Sequence, residues 1–219
     1  MSTSADDSDV LLNKPPRRAR RSHEERRHEA EQRLLEAARE IVASKGWTGL
    51  TLAEVGEAAG YSRGIATHRF GSKGGLLRAL ATFIHMTFMS EVNAAPARQP
   101  GLDALLGFVT VYLSRSGKSW TNTRALLRLL ADANVDGSDT GDFLTEYNRE
   151  VLSFVESQIR TGVNLGNIRQ DVSPNAGAVL VMGALRGVML QKLLERGEIE
   201  VSEVRDEFLR MLRLSFAAS

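Results

Sequence analysis

Apolar residues recur every three or four positions through almost the whole chain from Ser22 to Phe216, and that one period leaves room only for helices. Ala30, Leu34, Ala37, Ala38, Ile41 and Val42 carry it in the first stretch, which Gly46 ends. Leu76, Leu77, Leu80, Phe83, Ile84 and Phe88 carry it again from Lys73 to about Val92. Further helical stretches fall at about 102–115, 120–134, 141–161, 174–196 and 202–216, with Ser173-Pro174 as a strong start signal for the penultimate one. No segment reads as a strand and there is no internal repeat, so the expectation is an all-α protein of about nine helices. A chain of 219 residues, 42% hydrophobic, can fill a core without staples, and the absence of cysteine excludes disulfides, thiolate metal sites and cysteine catalysis.

Between the first two long helices the punctuation is dense. Ser22-His23-Glu24-Glu25 and Thr51-Leu52-Ala53-Glu54 are capping boxes, and Leu50 with Val55 can staple the second. A short helix should run to about Ala59, with Gly60 as a left-handed C-cap; Ser62 is then expected to N-cap another short helix ending near Phe70. Two short helices with a tight turn between them are the ingredients of a helix-turn-helix unit. Ser62 and the neighbouring N–H groups then become candidates for a phosphate oxygen, and Gly64 lets a DNA backbone approach closely. Tyr61 either packs across the turn or contacts phosphate.

Gly60-Tyr61-Ser62-Arg63-Gly64 also spells G-x-S-x-G, the pattern of a hydrolase nucleophile elbow. An elbow needs a strand before the serine, whereas LTLAEVGEAA is helical, and His68 is only six residues away with no histidine after His85 to act as a late base. A serine hydrolase using Ser62 is therefore the weaker alternative. The histidines have no metal-ligand spacing, and Gly71-Ser72-Lys73-Gly74-Gly75 has neither the length nor the order of a phosphate-binding P-loop. No metal, cofactor or enzymatic activity is expected.

The segment TLAEVGEAAGYSRGIATHRFGSKGGLL, Thr51 to Leu77, resembles the TetR family of bacterial transcriptional regulators in its short T-x-x-x-[IV]-[AG] helix, its A-G-[VY]-S-x-G turn, the closing Phe70 and the following Ser-Lys. The resemblance covers about 60 residues. It implies an N-terminal DNA-binding domain and a C-terminal domain for dimerisation and effector binding, with phosphate contacts from Thr51 and Lys73 and a groove-facing set of Arg63, Ile65, Thr67 and His68. Thr67 stands where the family usually has tyrosine and Gly74 where it often has an acid; Arg69 is the candidate to replace the tyrosine's phosphate contact. The expected organisation is a disordered basic arm at 1–21, the helix-turn-helix domain at 22–71 and the helical effector and dimer domain at 72–219.

Net charge is only +1, but Lys14 to Arg21 contains no acid, and its Arg17, Arg18, Arg20 and Arg21 are candidates for a narrow minor groove. MSTSADDSDV lacks the apolar run of a secretory signal, so a cytoplasmic address is expected. Residues 176–194 are long enough to span a membrane, yet Arg186 near the centre argues for a buried helix in a protein without membrane contact.

One helix-turn-helix reads few base pairs, so a homodimer on a palindromic operator is expected. The resemblance places the two last helices across the two-fold axis, where Leu180, Gly183, Gly187, Leu190 and Leu194 would meet their copies beside Phe208, Met211 and Leu212. It also implies an apolar effector cavity in the middle helices. Phe108, Tyr112, Trp120, Arg124 and Tyr147 are its candidate lining for a small hydrophobic effector, though core packing accounts for the same aromatics. The expected function is a ligand-released repressor; the alternative among binding proteins is an architectural DNA binder without an effector.

Overall fold

The computed structural model describes residues 23–96, 98–133, 139–194 and 199–218. Among them run nine helices: α1 (His23–Lys45), α2 (Leu52–Ala58), α3 (Ile65–Phe70), α4 (Lys73–Ala94), α5 (Leu102–Leu113), α6 (Gly117–Ala133), α7 (Asp139–Leu165), α8 (Pro174–Leu194) and α9 (Val201–Phe216). The only extended pairing among the described residues is a single bridge between Ile168 and Ala217. The arm residues Arg17, Arg18, Arg20 and Arg21, and the cap expected at Ser22, lie outside the described residues.

One apolar core runs continuously from α1 to α9. Leu34, Leu35, Ala38 and Val42 of α1 join it on one side, and Ala125, Leu126 and Leu129 of α6 on the other. Arg39 of α1, almost fully buried, donates to Asn122 Oδ1 of α6 at 3.3 Å, so the N-terminal helices are fastened to the larger helical body by a polar tie inside an apolar seam. One helix, α7, runs longer than its sequence pattern suggests. α7 extends to Leu165 because Gly162 lets the chain fold back tightly: a Cβ there would fall 2.5 Å from the side chain of Ile168. The following Asn167 accepts from the Leu102 N–H at 3.1 Å and donates to the Pro100 carbonyl at 3.0 Å, capping α5 from 65 residues away where Gly101 has no side chain to do so.

α8 begins as Ser173-Pro174 foretells, with the Ser173 Oγ accepting from Ala176 N–H. By length and composition it could cross a membrane, and a third of it is buried within the protein. Ala178, Val181, Met182, Leu185 and Met189 face inward; Leu180, Leu190 and Leu194 face solvent. Gly183 and Gly187 lie on or near that outer face, and a Cβ at either would meet nothing within 4 Å, so the protomer itself gives no packing reason for glycine. On α9, Met211 and Leu214 are exposed and Phe208 is half-buried in the groove against Ala184 and Val188 of α8. Leu212 departs from expectation. It follows Leu209 by three residues on the inner face and is 5% exposed, so it packs in the core rather than on the outer face.

Candidate nucleic-acid interface and interior cavity

The α2–turn–α3 unit is built almost entirely by local chemistry. Thr51 adopts an extended backbone and its Oγ1 accepts from the Glu54 N–H at 3.2 Å, satisfying an orphan donor of α2. The Glu54 carboxylate reaches Lys45 at 2.6 Å, tying the end of α1 to the start of α2. Leu50 and Val55, either side of the cap, are both buried. At the other end Gly60 has φ +80° and donates to the Glu57 carbonyl while Tyr61 donates to Gly56, a Schellman closure that only a residue tolerant of positive φ completes without strain. Gly56 is a site the residue pattern did not flag. A Cβ there would lie 2.6 Å from the Ser62 carbonyl, so the turn rests directly on the α2 backbone.

α3 starts later than expected. Its first residue is Ile65 and its N-cap is Gly64, with no side-chain cap. The Ser62 carbonyl instead accepts from the Ile65 N–H at 3.2 Å, so backbone closes the turn and the Ser62 side chain stands exposed. The same geometry disposes of the nucleophile elbow, since Ser62 lies between α2 and α3, where an elbow needs a strand immediately before the serine.

Thr51, Ser62, Arg63, Gly64, Thr67 and His68 are exposed, while Tyr61, Ile65, Arg69 and Lys73 are half-buried. Ala66 is fully buried and Phe70 packs on the core, which fixes the roll of α3 and turns Thr67 and His68 outward together. Arg63 Nε lies 2.5 Å from Glu57 Oε1, a contact that raises the guanidinium pKa further and leaves it charged. Arg69 turns back to Glu31 of α1, forming an ion pair there; in this conformation its charge is spent on the α1–α3 seam. Lys73 Nζ donates to the Thr48 carbonyl at 2.9 Å and sits 5.1 Å from the centre of the Trp47 ring, pinning α4 to the α1–α2 loop. Ser72 caps α4 through Gly75 N–H at 3.1 Å.

A cavity of about 120 Å³ lies farther along the molecule, between α4, α5, α6, α7 and α8. Phe108, Tyr112 and Tyr147 line it as expected from sequence. Trp120 and Arg124 do not. The α6 residue that faces the cavity is Leu126; at 3.6 residues per turn Arg124 lies on the far side of the helix, and Trp120 about a third of a turn away, under Lys192. Four polar residues that sequence reasoning did not assign to the lining stand there instead: His85, Arg115, Glu150 and Arg186. Arg186 carried a signal, being the one charge in the middle of the apolar run 176–190. Burial raises the Tyr112 pKa, with Arg186 and Arg115 opposing, and pushes that of Tyr147 up to about 12. Both phenols thus keep their protons at neutral pH and remain hydrogen-bond donors.

Residues 34–80 match the family model for bacterial regulatory proteins of the tetR family. The HTH-type transcriptional regulator CymR of Pseudomonas putida is 44% identical over 64 residues, which are 29% of this chain and 30% of that protein, so the match spans about a third of the curated relative. Among solved structures, a putative TetR-family transcriptional regulator from Rhodococcus sp. is similar over 87% of this chain and all of its own, with a TM-score of 0.77 at 22% identity. AibR, solved in complex with isovaleryl coenzyme A and operator DNA, is similar over 83% and 97% of the two chains, with a TM-score of 0.65 at 18% identity. The structural likenesses carry the fold alone. Joined to the match over residues 34–80, from the middle of α1 to the start of α4, they show an N-terminal segment similar to that of the tetR family of bacterial regulatory proteins on a chain with the fold of the solved regulators.

Proposed function

We propose that the protein is a cytoplasmic, homodimeric transcriptional regulator, a repressor that binds a roughly palindromic operator and leaves it when a small, largely hydrophobic effector fills the interior cavity. The observation that carries this reading is the outward pair Thr67 and His68 on α3, held by a buried Ala66 and capped by an exposed turn whose Ser62 side chain stands in solvent. A short helix displayed in this way suits the major groove, with Thr51 and Ser62 placed for phosphate oxygens. Two copies related by the outer face of α8 and α9 would set the half-sites about 34–36 Å apart. α4 supplies the link to the effector. Its first residue is Lys73, and about three to four turns later Ile84, His85, Phe88 and Met89 line the cavity, so a ligand that displaces this helix tilts the DNA unit.

Selection from random duplex DNA at physiological salt tests the reading directly. The expected result is an enriched palindrome, and Thr67→Ala or His68→Ala is expected to alter which bases are enriched rather than merely weaken binding. Enrichment that tracks only A·T content would point to an architectural binder instead. Lys73 makes a separate prediction. Lys73→Met should weaken binding to every duplex alike and lower the slope of log affinity against log salt by about one. A slope that stays the same would assign Lys73 only to the Thr48 and Trp47 contacts.

A further inference from the structure

The two arginines of the cavity are not equivalent. Arg115 has a side chain 3% exposed and is matched by an acid: Glu91 lies 3.4 Å away, Thr123 accepts at 2.5 Å, and the guanidinium stacks over Phe88 at 4.2 Å and Tyr112 at 5.3 Å. Arg186 projects from α8 into the same space with no such match. Its terminal nitrogen donates to the neutral Asn148 Oδ1 at 2.5 Å and the guanidinium lies in hydrogen-bond reach of the Tyr112 hydroxyl; its Nε, like that of Arg115, is buried without a partner, but among the described residues Arg186 alone of the two forms no ion pair. Beside it, His85 Nδ1 is also buried and unpartnered, with the imidazole edge-on to Tyr147 at 5.5 Å. The one acid among the lining residues, Glu150, is exposed.

A guanidinium always carries its charge, and burying it against apolar walls without a counter-charge is unfavourable. We propose that the cavity binds a small organic carboxylate, its anionic end on Arg186 and its apolar body against Phe108, Phe154, Val151 and Met182. This deepens the effector role proposed above and rests on it. The carboxylate suits a planar donor fork, and the Tyr112 and Tyr147 hydroxyls and His85 supply further donors around it. A cation is disfavoured because the aromatic faces of Phe88 and Tyr112 already receive Arg115. A neutral ligand would leave Arg186 as it stands. The volume, about 120 Å³, is near that of engineered cavities that take a single benzene ring, which limits the body to about one ring or a short chain.

Calorimetric titration of the full-length protein with benzoate, hexanoate, benzamide, hexanamide and choline tests this. The two acids are expected to bind at least about tenfold more tightly than their amides, a modest value for one charge-assisted fork. Arg186→Met is expected to abolish that preference while leaving the helical circular dichroism unchanged and the ligand-free Tm equal or higher, since it removes an unmatched charge. Arg186→Lys should retain part of the preference. Amides or choline binding as tightly as the acids, acids binding the folded Met variant undiminished, or neither acid binding at millimolar concentration would each overturn the proposal. Operator affinity is read separately, with and without the acid. An acid that binds through Arg186 yet leaves operator affinity unchanged would sustain the site and remove the effector role.

Discussion

A chain carrying glutamate at both Leu180 and Leu190 is expected to run as a monomer and to lose about 10²–10⁴-fold in operator affinity, the range by which linked binding exceeds single-site binding. Both side chains already face solvent, at 71% and 49% exposure, so the substitutions remove nothing from the protomer's core. Across a two-fold axis the same positions from two chains would bring four carboxylates into one apolar face, where like charges repel and each must be desolvated. Gly183 and Gly187 lie between them with open space around their α-carbons, which is what close approach of a second α8 requires. Light scattering at micromolar concentration, together with titration of the selected operator, checks both halves of the expectation. A variant that remains dimeric would move the interface elsewhere, and a monomer with undiminished affinity would remove the need for a two-fold reader.

Gly75→Ala should be the most damaging single-methyl change in the DNA unit. The added Cβ would fall 2.0 Å from the Phe70 carbonyl oxygen, and a backbone atom cannot rotate aside as a side chain can. Relieving the clash means opening the α3–α4 junction, at a cost of about 1–3 kcal/mol by analogy with overpacked cores. Because Phe70 closes α3, the same movement would swing Thr67 and His68 from their places, so operator affinity is expected to fall along with the Tm. Gly74→Ala is the control. Its nearest neighbour would be Ser72 Oγ at 3.7 Å, an ordinary contact, and replacing glycine in a helix by alanine stabilises by up to about 1 kcal/mol. Thermal unfolding of both variants beside the parent decides it; equal Tm values for the two would mean that the junction yields more easily than its geometry implies.

These glycines also show where reading the chain stops short. Gly60 was legible because a left-handed C-cap depends on residues within one turn of it, as do the Thr51 cap and the Ser173-Pro174 start. Gly56 and Gly75 were not, because each is small for the sake of a backbone segment that only folding brings near. Ser62 was expected to cap α3 by the same local logic that succeeded at Thr51. It does not, because the turn packs its carbonyl over Gly56 and the helix begins three residues later.

Helical class, the order of the helices and the helix-turn-helix unit thus followed from the sequence by itself, since period, capping and turn chemistry act over distances of a few residues. The tertiary structure alone decided which side chains share a cavity and which share a surface. It put Arg186 opposite Arg115 across 71 positions of chain, turned Trp120 and Arg124 away from that cavity, and drew Leu212 into the core while leaving Leu214 outside. A helical period says that a face exists; what the face meets is set by the crossing of helices distant in sequence, through packing that no local pattern encodes.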